Sequence, residues 1–228
     1  LQIGGSLALT QRKWAEKEFE ERMTPHIDTI YGRTFSGIID ISRSDRGEAD
    51  DSKKLFMDKE MAIDTFLTFE NGSVITVQEK TLKPFQSSFK QFTFEYYNNP
   101  ETQEEGEWFK LASMLYFFGY ADCGKGFFDS RSIDGACKKQ CQSCDYLLPH
   151  HTHWILDVPI LRIFLNKEYP VDSMINNRWL HQNPPPAKAN FFGIPFSVLP
   201  DDIFIVKDKE TNKDKLIRLF PERFKEAA

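Results

Sequence analysis

The chain has 228 residues, 40% hydrophobic and 14% aromatic, with 21 Phe and four Trp. That is enough apolar material for a folded core and excludes a disordered polar chain. Lys and Arg number 29 against 34 Asp and Glu, a net charge of −5. This excludes a nucleic-acid binder that works by basic surplus alone, and leaves room for an enzyme with a local basic groove around an acidic metal site. No apolar run approaches the roughly 18 residues of a membrane span. Leu1–Leu9 has neither the basic flank nor the length of a signal peptide. The expectation is a cytoplasmic protein away from any membrane, a single domain over residues 1–228.

The first element expected is a helix from Thr10 to Tyr31. Ala15, Phe19, Met23, Ile27 and Ile30 recur at spacings of four, four, four and three and fall on one face. Thr10 is its N-cap, Pro25 a kink or break, and Gly32 the stop. Residues 42–54 are charged and aperiodic, a loop. Ile63–Phe69 and Ser73–Lys80 are rich in β-formers and flank Glu70-Asn71-Gly72, a strong hairpin marker. A third strand is read over 89–97 and an aromatic-rich helix over 107–121. A loop-like insertion over 122–149 follows, then a fourth strand over 153–158 and a short helix over 159–168. Asn176-Asn177 and Pro184-Pro185-Pro186 mark a surface loop or linker across 176–190. It opens a C-terminal extension, 176–228, in which 191–199 and 202–206 read as late strands or a strand and turn. Within that extension Lys207, Lys209, Lys213, Lys215 and Arg218, diluted by acids, read as a solvated hairpin, and the tail turns helical from Pro221. The order points to a mixed α/β fold on one central sheet.

Residues two apart in a strand share a face, so Gln78 and Lys80 project together and Glu79 opposite. The hairpin carries Asp64 to the same end, away from the Asn71-Gly72 turn. A carboxylate, an amide oxygen and an ammonium at one sheet end suit phosphodiester hydrolysis. The oxygens hold a hard divalent cation, Mg²⁺ or Mn²⁺, which polarises the phosphoryl oxygen and activates water. The lysine orients that water or offsets charge developing on the phosphate. A solvated sheet end with no chemistry is the plainer alternative for the same residues. Asp58 reads as a loop carboxylate, and Glu95 on the third strand as solvent-facing.

Asp64 before the hairpin and Gln78-Glu79-Lys80 after it resemble the signature of the PD-(D/E)XK nuclease superfamily. Its restriction-endonuclease-like core runs helix, a mostly three-stranded antiparallel run, helix, strand, and the likeness spans roughly residues 10–165. The resemblance implies an α/β fold with a mixed central sheet flanked by helices, and a Mg²⁺-dependent nuclease acting on DNA. Asp64 would be the principal metal ligand, Gln78 and the Glu79 carbonyl would complete the protein side, and Lys80 would position the water. Gln78 stands where Asp or Glu is usual, which removes one negative charge. Either Gln78 serves as a neutral ligand, or the strand register shifts and Glu79 substitutes; the shared face with Lys80 favours Gln78. Several family members add a glutamate from the first helix. Glu16, about 60° from Phe19 at 100° per residue, is the candidate, although a glutamate there also complements a helix dipole. Gln78 feeds an alternative too: a catalytically silent, zinc-bearing adaptor that keeps a nuclease-like fold to bind DNA or protein. Substrate structure, cleavage polarity, a homodimeric state and the choice among restriction, repair and phage biology are open.

All four cysteines, Cys123, Cys137, Cys141 and Cys144, fall within 22 residues. A secreted disulfide framework spreads its cysteines along the chain, whereas four clustered thiolates suit one tetrahedral Zn²⁺ that staples the 122–149 insertion. An iron–sulfur cluster is the rival, since some nucleases of the superfamily carry one. Those clusters draw one cysteine from before the nuclease core, and here all four follow it. His150, His151 and His153 are candidate substitutes, more simply read as surface or packing residues. Lys125, Arg131, Lys138 and Lys139 give the insertion a positive face for phosphate contact. Trp108, Phe109, Tyr116, Phe117, Phe118 and Tyr120 resemble a base-stacking set but read more simply as core.

Overall fold

The computed structural model describes residues 4–44, 52–82, 90–123, 147–183, 188–212 and 214–215. In chain order these form α1 (Gly4–Thr34), β1 (Ile38–Arg43), α2 (Ser52–Met61), β2 (Thr65–Phe69), β3 (Val74–Leu82), β4 (Gln91–Asn99) and β5 (Glu104–Glu105). There follow α3 (Glu107–Lys110), β6 (Leu115–Cys123), β7 (Leu147–Asp157), α4 (Val158–Glu168), α5 (Val171–Asn176), β8 (Leu180–Gln182) and β9 (Asn190–Pro195). Two 3₁₀ turns, Phe196–Val198 and Asp201–Ile203, lead into β10 (Phe204–Lys207) and β11 (Glu210–Thr211). The architecture is mixed α/β on a central mixed sheet of order β1-β2-β3-β6-β7-β10-β11, with a second sheet of order β5-β4-β9-β8. The chain divides into two compact units, residues 1–35, 81–88 and 119–153 in one, and residues 36–80, 89–118 and 154–228 in the other. Among the described residues no helix is long and apolar enough to cross a membrane.

In the first unit, α1 runs unbroken through Pro25, which corrects the expected break. Thr10, expected as its cap, lies inside it. Phe19, Met23 and Ile27 are buried as the spacing predicts, Tyr31 rather than Ile30 takes the next buried position, and Phe19 and Met23 pack with Ala121.

In the second unit the β2–β3 hairpin forms where the sequence places it, pairing Thr65 with Val77 and Thr68 with Val74. The turn is the three-residue loop Glu70-Asn71-Gly72 that the sequence places between the strands. Gly72 N donates to Phe69 O at 2.8 Å and Phe69 N to Ser73 O at 3.0 Å, with Gly72 at φ +78°. That is a type I turn closed by a left-handed residue, which favours glycine because it carries no Cβ. Asn71 Oδ1 accepts from Ser73 N and Oγ, fixing the loop from within.

Four expectations are corrected. The predicted helix 107–121 is a four-residue helix, α3, followed by β6. Residues 115–121 are all buried, and β6 lies between β3 and β7 in the sheet. A strand covered on both faces shows no period-two alternation, and its aromatic run cannot be told from a buried helix by spacing. The predicted third strand, β4, belongs to the second sheet. The third antiparallel strand of the hairpin's own sheet is β1, on the edge, with Arg43 paired to Thr65. The single central sheet is therefore joined by a second. The supposed loop 42–54 overlaps the ends of β1 and α2.

The two sheets meet through aromatics. Phe92 of β4 stands edge-on to Tyr116 at 5.0 Å and to Phe118 at 5.6 Å, and Phe94 stacks on Trp108 at 4.4 Å. Trp154 stacks on Phe196 at 4.0 Å. Edge-on and offset pairs such as these contribute beyond their area, and they seat β4 and α3 over β6. The short helix read over 159–168 is α4, capped by Asp157, whose Oδ1 accepts from Ile160 N at 3.1 Å. The basic run does form a hairpin, β10–β11, turning on Asp208 and Lys209 at φ +48° and +74°. Lys215 departs from the solvated reading: it is buried and paired with Asp157 Oδ2 at 3.5 Å.

Candidate active site

The paired register of the hairpin ends at Thr65–Val77; Asp64 directly precedes it, and Gln78 projects from the face of β3 opposite to Val77. Asp64 is tied to the strands on either side. Its N–H donates to Val77 O at 3.0 Å, and its carbonyl accepts from Ser44 N at 2.8 Å and Ser44 Oγ at 3.1 Å. Its Oδ2 accepts from the backbone N–H of Glu79 at 2.8 Å. The Asp64 backbone is therefore held from both sides, and its carboxylate is aimed by the Glu79 N–H of β3.

Lys80 shares that face with Gln78. Its Nζ lies 3.6 Å from Glu107 Oε2 at the start of α3. Glu107 Oε1 accepts from the hydroxyl of Tyr116 on β6 at 2.5 Å, and Oε2 from the backbone N–H of Glu95 on β4 at 3.4 Å. Glu95 is thus half-buried and adjoins the site rather than facing open solvent. Gln78 Oε1 is buried and has no hydrogen-bond partner among the described residues.

Glu79 points to the opposite face, with Ile75 and Val77. Its Oε1 accepts from Thr65 Oγ1 at 2.6 Å and from Arg43 Nη2 at 3.2 Å. Its carboxylate is occupied there, and its contribution to Asp64 is the backbone N–H. Glu16 lies on α1, with its side chain outside the described set. Cys137, Cys141 and Cys144 lie outside the described residues, and Cys123 closes β6 with its side chain likewise outside.

The electrostatics follow from this crowding. Burial pushes the Asp64 carboxyl well above the usual carboxylate range; the Glu79 N–H opposes this, and the charges of Glu79, Glu107 and Asp58 reinforce it. Asp58, read as a loop residue, lies on α2 within electrostatic reach. Tyr116 is held well above its ordinary value by burial first, then by the charge and hydrogen bond of Glu107, with Asp64 and Glu95 adding to it. Its hydroxyl stays protonated and donating.

Among the described residues no three His, Cys, Asp or Glu side chains gather as a metal-ligand group. The candidate donors are one carboxylate, one amide oxygen and backbone carbonyl, and Mg²⁺ commonly binds through one or two carboxylates while keeping several waters. The buried, unpartnered oxygen of Gln78 fits such a cation. A carboxyl whose ionisation is opposed by neighbouring carboxylates fits it too, because a cation reverses that penalty.

Glu107 is the site residue that sequence reasoning misses. Its segment reads as an aromatic helix, and nothing in its spacing ties it to Asp64. The one available signal is Gly106. A Cβ there would stand 2.8 Å from the carbonyl carbon and oxygen of Glu95 and 2.9 Å from that of Tyr96. Gly106→Ala is expected to push α3 off β4 at a cost of about 1–3 kcal/mol. Urea unfolding, and disruption of the Glu107–Tyr116 hydrogen bond read from tyrosine absorbance above pH 10, would check it.

Compared with protein-family models, curated proteins and solved structures, the chain matches none. The fold and this cluster of Asp64, Gln78, Lys80, Glu107 and Tyr116 therefore carry the functional argument unaided.

Proposed function

We propose that the protein is a divalent-cation-dependent nuclease that hydrolyses DNA phosphodiester bonds. The observation that carries this reading is Gln78 Oε1, a buried oxygen with no partner among the described residues, on the same face of β3 as Lys80 and next to Glu79, whose N–H holds the Asp64 carboxylate. Leaving a buried polar atom unsatisfied costs about 1–3 kcal/mol, and a cation ligated there offsets that cost. Asp64, Gln78 and the Glu79 carbonyl would hold Mg²⁺ or Mn²⁺. Bound there, the cation supplies Lewis-acid polarisation of a phosphoryl oxygen and a water acidified for attack. Asp64 is pre-aimed by the Glu79 N–H, and Lys80 orients the attacking water and balances charge on the phosphate.

The order of α1, the antiparallel run β1–β2–β3, and Asp64 with Gln78-x-Lys80 supports membership in the PD-(D/E)XK superfamily. The neutral Gln78 is the departure. A structural Zn²⁺ on Cys123, Cys137, Cys141 and Cys144 belongs to the same proposal, resting on the cysteine spacing.

The test is a cleavage assay on linear, circular and branched DNA with Mg²⁺ or Mn²⁺, with metal analysis of the same protein. We expect cation-dependent cleavage to be lost in Asp64→Ala, because the cation that acidifies the water loses its carboxylate ligand, and one zinc per chain. Absence of cleavage on every substrate, with Asp64→Ala binding DNA as the parent does, would replace the nuclease by the zinc-bearing adaptor. Iron and sulfide in equal amounts would replace the zinc.

A further inference from the structure

The geometry points to Glu107 as the positioning residue for Lys80, with Tyr116 as its anchor. The inference rests on the proposed role of Lys80 for its meaning, and on the distances around Glu107 for its substance. A lysine ammonium on four rotatable carbons has no preferred direction of its own. Here it meets one carboxylate oxygen at 3.6 Å, with the Lys80 side chain 25% exposed and that of Glu107 13% exposed.

The carboxylate itself is gripped at separate points. Tyr116 OH donates to Oε1 and Glu95 N to Oε2. Tyr116 is fully buried and packed edge-on by Phe92, so the anchor cannot drift. The bare backbone of Gly106 allows α3 to lie close against β4, which brings Glu107 within reach of β6. One carboxylate thus joins β3, β4 and β6 and ends on the lysine. Asp64, Asp58, Glu79 and Glu95 are the other charged groups of this neighbourhood among the described residues. Without the Glu107 carboxylate Lys80 would be free to fold onto Asp64 and compete with a cation for it.

A purely structural ion pair makes different predictions, and two readouts separate them. The first is acylation of lysines in the intact protein, followed by peptide mass spectrometry, with the exposed Lys167 as internal reference. Glu107→Gln keeps the shape and removes the charge. Lys80 is expected to label about two- to fivefold faster in it, the size of effect that a partly exposed ion pair produces. Tyr116→Phe frees the carboxylate and should raise labelling by a smaller factor. Equal labelling of Lys80 in the parent and in a folded Glu107→Gln would overturn the proposal.

The second readout is a cycle of Lys80→Ala, Glu107→Gln and the double variant in the cleavage assay. The double variant is expected to be no slower than Lys80→Ala alone, with Glu107→Gln lowering kcat and leaving KM in place. Reductions that multiply would show that Glu107 acts elsewhere and would also overturn it. If the parent cleaves nothing, the nuclease reading falls while the labelling experiment still decides the place of Lys80.

Discussion

Asp64→Asn is expected to leave stability unchanged near pH 4 and to raise it increasingly towards pH 8, in buffer without added divalent cation. The folded protein holds the Asp64 carboxyl above its ordinary value because burial and the charges of Glu79, Glu107 and Asp58 disfavour the anion. The folded state therefore binds the proton more tightly than the unfolded chain does. Below the unfolded value, about 4, both states are protonated and nothing is lost. As pH rises from there through the raised folded value, stability falls, by about 1.4 kcal/mol for each unit of difference.

Asparagine can still accept from the Glu79 N–H and has no charge to desolvate, so its curve lacks the fall. Saturating Mg²⁺ should restore the parent at pH 8 through binding to the folded state alone, and should do nothing for Asp64→Asn. Urea midpoints across pH 4–8, with and without Mg²⁺, check this. A difference that is flat with pH, or that grows towards acid, would defeat the electrostatic account of Asp64.

Gln78 yields a second pair of opposed results. Gln78→Leu replaces a buried, unpartnered oxygen with an apolar group of similar length. It should stabilise the cation-free protein by about 1–3 kcal/mol and abolish cation-dependent cleavage. Gln78→Glu should do the reverse. A carboxylate there adds to the repulsion already acting on Asp64 and lowers stability without cation, yet should tighten Mn²⁺ binding about tenfold through one more full charge. Function purchased with local instability is what a ligand site shows before its ligand arrives. Calorimetric Mn²⁺ titration and thermal melting on the same samples would show it. A Leu variant that is less stable than the parent would mean that the glutamine serves the fold and not a cation.

The elements legible in the sequence are those whose signal is local. The helical spacing of Phe19, Met23 and Ile27 and the β2–β3 hairpin are readable because each is set by residues within a few positions of one another. The shared face of Gln78 and Lys80, with Asp64 at the same end, is readable for the same reason: strand alternation and hairpin register are short-range geometry.

What only the tertiary structure decided involves partners distant in sequence. The run 115–121 is strand because β3 and β7 flank it, and burial on both faces erases the pattern that would identify it. Residues 91–99 join a second sheet because β9, about a hundred residues later, supplies their hydrogen bonds. Glu107 enters the site because Lys80 of β3, Glu95 of β4 and Tyr116 of β6 meet it from separate strands. Period and propensity carry no information about such meetings, since packing against non-local surfaces outweighs them.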